Sequence, residues 1–431
     1  MSIKDKTKGL ATALRLDSHH AIERFGVIFA VIIVSFGLLL GGATTSSLAN
    51  QQADLDTTTL YTKAFTTSKT QLGGDVTGIF VSPDKTRAMV LMHFKSTSLM
   101  SSNAEKYRAF LTGSNKELTP EPLKGDVSAQ IVVFGSTGYM ATVLESPSPF
   151  PQQILNLTMR ANSELVYQPS EKRKVREDLA GQASFTEFDQ WRLYFNPGAS
   201  GATVTESLAG KTLDAGAVYS ELVVKPEEDA LRVTLDNQLA EMQTDQARIV
   251  EYQSDARRVN VDGVTLELPE TPTQIAGDVV DGSPAIGDTA STLELKPVWV
   301  SPRGWNFSWR DGRASSGYLD EIIGDGQSYV TYLADKQAQA KGDESGSLRT
   351  ATLDWTLSNG RLLKDFTSAD KAMQPLMEIR NDLSQAWEDY YTHKVEYQTK
   401  TLAQLIDLEV ELRTVRTSTS INTADDVLFT Y

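Results

Sequence analysis

The chain has four histidines, no cysteine and 56 acidic residues, and this inventory limits the catalysis open to it. Without thiols there is no cysteine nucleophile, no disulfide framework and no Cys-based zinc site. His19 and His20 fall near the beginning, His93 in an apolar run and His393 in a long helical pattern. None of them supplies the His-x-x-x-His spacing that would set two imidazoles on one helix face for zinc. Gly135-Ser136-Thr137-Gly138 and Gly198-Ala199-Ser200-Gly201 lack the Gly-x-Ser-x-Gly spacing of a nucleophile elbow, and both read as turns. There is also no Gly-x-x-x-x-Gly-Lys-Ser/Thr run to cradle a phosphate.

Carboxylates are the remaining chemical resource. Arg258 to Gly263 has the rhythm of an EF-hand start, but arginine occupies the first ligand position and Pro269 the twelfth. Asp278, Asp281 and Asp288 share a Pro/Gly/Asp-rich stretch where solvated loop acids are the simpler reading than a calcium site. A pair of acids could hydrolyse glycan. The region best suited to that chemistry holds Trp299, Trp305, Trp309 and Tyr318, with Asp311 and Glu321 as the nearest acids. Exposed, these rings would stack on a sugar or dock a protein; inward-facing, they would form the core of a small β-domain, which is the favoured expectation. No catalytic, cofactor-binding or metal-binding residue is assigned. Leu268-Pro269-Glu270-Thr271-Pro272 resembles a sortase sorting signal with its last glycine replaced, but no apolar segment and basic tail close the chain behind it.

The elements that would position these groups begin with an apolar run. Phe25 to Gly42 contains 18 apolar or small residues with Ser35 as its one polar side chain. As a helix it would be ~27 Å long, close to the hydrocarbon thickness of a bilayer. Lys4, Lys6, Lys8, Arg15 and Arg24 precede it, and no Lys or Arg follows before Lys63. Positive charge stays in the cytoplasm, so residues 1–24 form a cytoplasmic stub and residues 25–43 a single span. The bulk of the chain is then extracytoplasmic. A signal peptide cleaved after Ala49 is the competing reading, and a retained anchor is preferred because the apolar run is long. A cysteine-free exported protein reads as bacterial. The net charge of -15 argues against a nucleic-acid partner.

Beyond the span the expected fold class is α+β. Residues 44–225 alternate with period 2, as in Leu155, Leu157, Met159 and in Trp191, Leu193, Phe195, and predict an antiparallel β-sandwich-like domain. Ala88 to Phe94 and Gln130 to Phe134 read as central strands; Gly73-Gly74-Asp75, Ser82-Pro83-Asp84, Lys124-Gly125-Asp126 and Asn196-Pro197-Gly198 read as turns. Residues 226–258 form a long helix, with Pro226 in its first turn and Leu235, Met242, Ile249 and Ala256 seven apart. Residues 259–365 read as a second, distal β-rich region through the alternations Trp305-Phe307-Trp309 and Leu353-Trp355-Leu357. A second long helix covers 366–417, and 418–431 form a C-terminal tail. Leu376, Ile379, Leu383, Leu405, Leu408 and Leu412 make a seam at 3-4 spacing that calls for a helical partner. The two helices pairing as a coiled-coil stalk is the leading expectation, and each helix packing on its own sheet is the alternative.

These expectations converge on a non-enzymatic envelope protein, an assembly subunit or adhesion module. Its partners would be the bilayer through residues 25–43, and envelope proteins or further copies of the chain through the helices. Trp305, Trp309, Tyr318 and the six seam residues are its candidate partner-binding groups. A carboxylate-dependent glycan hydrolase or glycan-binding protein is the alternative.

Overall fold

The structure is a computed structural model that describes residues 57–97, 100–161, 188–210, 212–324, 326–341, 347–350, 353–367 and 370–430. The apolar span 25–43, the cytoplasmic stub and the site after Ala49 lie outside the described residues. No described helix is long and apolar enough to cross a membrane. The chain is α+β, with several antiparallel sheets and two long helices. The described residues divide into two compact units: those within 57–133, 138–209 and 421–430 form unit 1, and those within 134–137 and 210–420 form unit 2. Unit 2 is thus an insertion late in the chain of unit 1.

Unit 1 is built from two sheets. One has the order β1 (Ala64–Thr66), β2 (Gly73–Val81), β3 (Arg87–Phe94), β7 (Tyr139–Glu145), β6 (Ser128–Val133) and β16 (Ser420–Asn422), with β10 (Thr203–Val204) parallel to β2. The other runs β17 (Leu428–Thr430), β4 (Tyr107–Ser114), β8 (Ile154–Ala161) and β9 (Asp189–Phe195), with the short β5 (Pro120–Glu121) beside β4. The alternating residues of β8 and β9 meet in register, Leu157 opposite Leu193 and Met159 opposite Trp191. Their inner faces bury one core with Val90, Met92 and Phe94 of the first sheet. Trp191 sits at its centre, 5.3 Å from the Phe94 ring and 5.9 Å from that of Phe65, with its indole N–H 3.4 Å from Met92 Sδ.

Most expected turns form where the sequence places them. Ser82 to Thr86 closes the β2–β3 hairpin, with the Ser82 hydroxyl donating to Asp84 at 2.6 Å and Lys85 at φ 57. Gly73-Gly74-Asp75 instead opens β2. The reversal lies earlier, where Thr67 N donates to Leu72 O at 3.0 Å and Gln71 takes φ 55. Of residues 418–431, expected as a tail, 421–430 return to unit 1, and β17 pairs in parallel with β4, Phe429 opposite Phe110. Three residues are too short to carry a periodic signal.

Unit 2 is organised by helices. Helix α1 (Ala215–Tyr219) passes through a π turn, Ser220–Val224, directly into α2 (Lys225–Arg258). Two short helices follow, α3 (Leu319–Ile322) and α4 (Tyr329–Gln339). Helix α5 (Gln374–Glu396) then continues through a second π turn, Tyr397–Thr401, into α6 (Leu402–Ser418). Pro226 and Pro375 both stand in first turns, where the missing N–H costs nothing. α2 packs antiparallel on α5, and α6 packs on α1 and α2.

The expected β-rich region 259–365 is largely irregular. It contains only the short strands β11 (Asn260–Val261), β12 (Val264–Glu267), β13 (Val279–Asp281), β14 (Glu294–Lys296) and β15 (Thr356–Leu357) among the described residues. The Trp305-Phe307-Trp309 alternation is real, but it marks an extended segment lying on helices rather than a strand with ladder partners. Trp305 N donates to Gln398 O at 2.9 Å, and Trp309 Nε1 to Tyr397 Oη at 2.9 Å, both at the π turn. A π turn exposes backbone that an α-helix would enclose, and here the loop uses it.

Candidate functional site

The sites with most chemical content are the buried charges of unit 2, held by α2 and α5–α6. Lys394, on α5, is fully buried, 2.6 Å from the Asp278 carboxylate, which is also fully buried. Its ammonium donates to Gln274 O at 2.6 Å and lies 5.5 Å from the Trp299 ring centre. Asp278 further accepts from Val298 N at 2.8 Å and from Tyr390 Oη at 3.1 Å. Burial pulls the lysine below its ordinary value, and Asp278 opposes that shift. Burial, and then the charge of Asp278, push the Tyr390 hydroxyl upward. Gln246 of α2 completes the arrangement, donating to Asp278 O at 2.9 Å and accepting from Val280 N at 3.1 Å. The pair is therefore fully ligated, as a buried pair must be to survive desolvation.

Four further side chains repeat the device. Arg232 of α2 aims its guanidinium at main-chain carbonyls, reaching Trp309 O at 2.7 Å, Arg310 O at 2.9 Å and Gly312 O at 3.1 Å. Arg310 stacks over Trp309 at 4.5 Å, donates to Leu293 O at 2.7 Å and pairs with Asp236. Glu228 accepts from Tyr318 Oη and, at 3.1 Å, from Ala314 N. Glu409 of α6 accepts from Leu319 N at 2.8 Å and from Arg413 Nε at 2.7 Å. Between the helices, His393 Nδ1 stands 2.8 Å from Asp245, which Arg248 also meets at 3.1 Å.

Each of these buried carboxylates already has its donors, so the arrangement fastens loops to helices and leaves no free acid–base pair there. Among the described residues no group of three His, Asp or Glu side chains is placed to hold a metal. Asp281 is an exposed partner of Lys296 at 3.1 Å, and Asp311 accepts from Ser308 at 2.9 Å. His93 stacks on Tyr139 at 4.4 Å.

The candidate partner-binding residues are brought together, but facing inward. Trp305 and Trp309 are 8% and 4% exposed, and Tyr318 is fully buried with its hydroxyl on Glu228. Leu376, Leu383, Leu405, Leu408 and Leu412 are buried and Ile379 is half-buried. The seam's helical partner is in the same chain, so another copy reaches it only if unit 2 opens. Sequence reasoning missed Lys394, which breaks the apolar seam, and Glu228, Asp245 and Glu409, which sit among solvated acids on the same helices. The signal was present in the interruption itself: a lysine inside a heptad seam needs a buried anion.

Comparison with family models, with curated proteins and with solved structures finds no match.

Proposed function

We propose that this chain is a non-enzymatic, membrane-anchored interaction or assembly protein of a bacterial cell envelope. Residues 25–43 would span the membrane with the N-terminus in the cytoplasm, and both units would stand outside. The observation that carries this reading is the uncharged run Phe25 to Gly42, with basic residues on one flank only. In unit 2 the buried charges Lys394, Asp278, Glu228 and Glu409 are engaged in loop-to-helix contacts, which favours a scaffold over a catalyst. The burial of Trp305 and Trp309 removes the aromatic platform that a glycan hydrolase would need there. On this reading the paired helices serve as a stiff coiled-coil spacer, since α2 with its 34 residues is ~50 Å long.

The test is protease added to intact cells of the native host, stripped of outer wall layers, with an epitope at each terminus. Digestion of both units with survival of a short N-terminal fragment is the expected result. Full protection until the membrane is permeabilised overturns the topology. Affinity isolation from native membranes then tests the role: co-purifying envelope proteins support it, and recovery of the chain alone defeats the assembly reading.

A further inference from the structure

A cavity of about 420 Å³ opens in unit 2 between α4, the loop at Arg303–Trp305 and α6. Helix α4 is held there by three contacts. Tyr332 packs on Trp305 at 6.2 Å, Arg413 lies over the Tyr329 ring at 5.6 Å, and Lys336 Nζ donates to Gly304 O at 2.7 Å. Its floor is apolar, formed by Leu333, Ala403, Ile406 and Trp305, and its volume is in the range of small-molecule sites. Its charged lining is Arg303, Lys336 and Lys341 against a single carboxylate, Asp407.

The cations are the unusual part. The chain carries a net charge of -15, and in unit 2 the cations Lys394, Arg232, Arg310 and Arg413 each lie beside a carboxylate. Arg303, Lys336 and Lys341 form no ion pair among the described residues. Lys336 is half-buried, and among the described residues a carbonyl and the Trp305 ring, 4.4 Å away, compensate its charge. Burial accordingly holds its ammonium below the ordinary lysine value, with no opposing anion. A desolvated cation without a counter-ion is costly, and an anion entering the cavity would recover that cost.

We propose that this cavity binds a phosphate monoester with an apolar tail, its head group between Arg303, Lys336 and Lys341 and its tail on Leu333 and Ile406. A monoester phosphate carries about -1.5 to -2 charge at neutral pH, which suits three cations facing one carboxylate better than a carboxylate head group would. The Arg303 guanidinium is free to grip two of its oxygens. The site is independent of the assembly reading and would stand if that reading fell.

The experiment is calorimetric titration of the full-length chain in a nonionic amphipol with hexyl phosphate, inorganic phosphate and hexanol. Hexyl phosphate is expected to bind at least ten-fold tighter than either of the others. Lys336→Gln, which keeps a donor for Gly304 O, and Arg303→Gln, at an exposed position, are each expected to weaken it ten-fold or more. Equal affinity for hexanol or for inorganic phosphate, no binding, or unchanged binding in both variants overturns the proposal. The source of the head group is read in nanodiscs of phosphatidylcholine with or without phosphatidic acid. Suppression of hexyl phosphate binding by phosphatidic acid assigns a membrane lipid, and undiminished binding assigns a soluble ester.

Discussion

Unit 1 is centred on an apolar core of Trp191, Phe94, Met92 and their neighbours, and also buries Arg160 and Asp189; in unit 2 the buried groups at the centre include Lys394, Asp278 and Glu409. The two sheets of unit 1 bury one apolar core, and the strand ladders satisfy the backbone. The helices of unit 2 have thinner apolar stripes, with Leu235, Leu239, Met242 and Ala256 as the buried apolar residues of α2. Its long connections have few ladder partners, so their carbonyls and amides must find others. Arg232, Lys394, Glu228 and Glu409 supply them. A chain segment without regular structure can be ordered by a few buried charges, at the cost that every charge must be matched.

The contrast between the units is greatest at their two centres. Trp191→Ala is expected to cost about 3–5 kcal/mol of unfolding free energy through the cavity it leaves. Lys394→Met is expected to cost a similar ~3–5 kcal/mol, because Asp278 remains buried without its cation. The rescues differ. Trp191→Phe should recover much of the loss in unit 1, since apolar volume is what matters there. In unit 2, adding Asp278→Asn to Lys394→Met should recover much of the loss, since charge balance is what matters. Urea unfolding followed by near-ultraviolet circular dichroism measures all four variants. If Lys394→Met costs under ~1 kcal/mol, the buried pair is not what orders the 274–280 segment.

A smaller effect sharpens the same contrast. Arg232→Met keeps most of the aliphatic stem over Trp309 but removes the donors to Trp309, Arg310 and Gly312 carbonyls. Charge-assisted bonds of this kind contribute about 1.5–3 kcal/mol, and a loss in that range is expected. Amide hydrogen exchange should accelerate in residues 309–319 while β8 and β9 of unit 1 keep their protection. Equal acceleration in both regions would mean that Arg232 supports the whole chain and not one loop.

The difference between the units also explains what was legible in the sequence. Strands β3, β6, β8 and β9 fall close to where alternation or continuous apolar runs predict them, because a face buried against another sheet dictates residue type every second position. Both long helices are legible too, the first from Pro226 in its first turn and the second from its seam at 3-4 spacing, although the second begins at Gln374 rather than at 366. The 259–365 region was misread because an extended segment packed on a helix shows the same period 2 as a strand. Trp305 and Trp309 point inward there without any neighbouring strand. The π turns left no trace in composition. Nor did the pairing of Asp278 with Lys394, whose partners are 116 positions apart. The cavity beside α4 was equally hidden, since Arg303, Lys336 and Lys341 look like ordinary solvated cations until the fold brings them to one cavity.

The smallest expected effect lies at Glu411 of α6, a carboxylate that forms no ion pair among the described residues. Tyr219 Oη donates to it at 3.0 Å. Burial raises its pKa above the ordinary 4.5; Tyr219 opposes the shift, while the charges of Glu227 and Asp407 add to it. The folded chain therefore holds this proton more tightly than the unfolded chain does. Its contribution to stability is fully present below about pH 4.5 and is lost as pH rises through the raised folded value. Glu411→Gln keeps an acceptor for Tyr219 and carries no charge, so it should remove that loss. The variant is expected to match the parent near pH 4 and to exceed it slightly at pH 7, by a difference that grows across the interval and then levels. Thermal unfolding at a series of pH values reads it. A variant less stable than the parent at pH 7 would show that the charged form of Glu411 is held favourably, and would make this site one more matched charge rather than an exception.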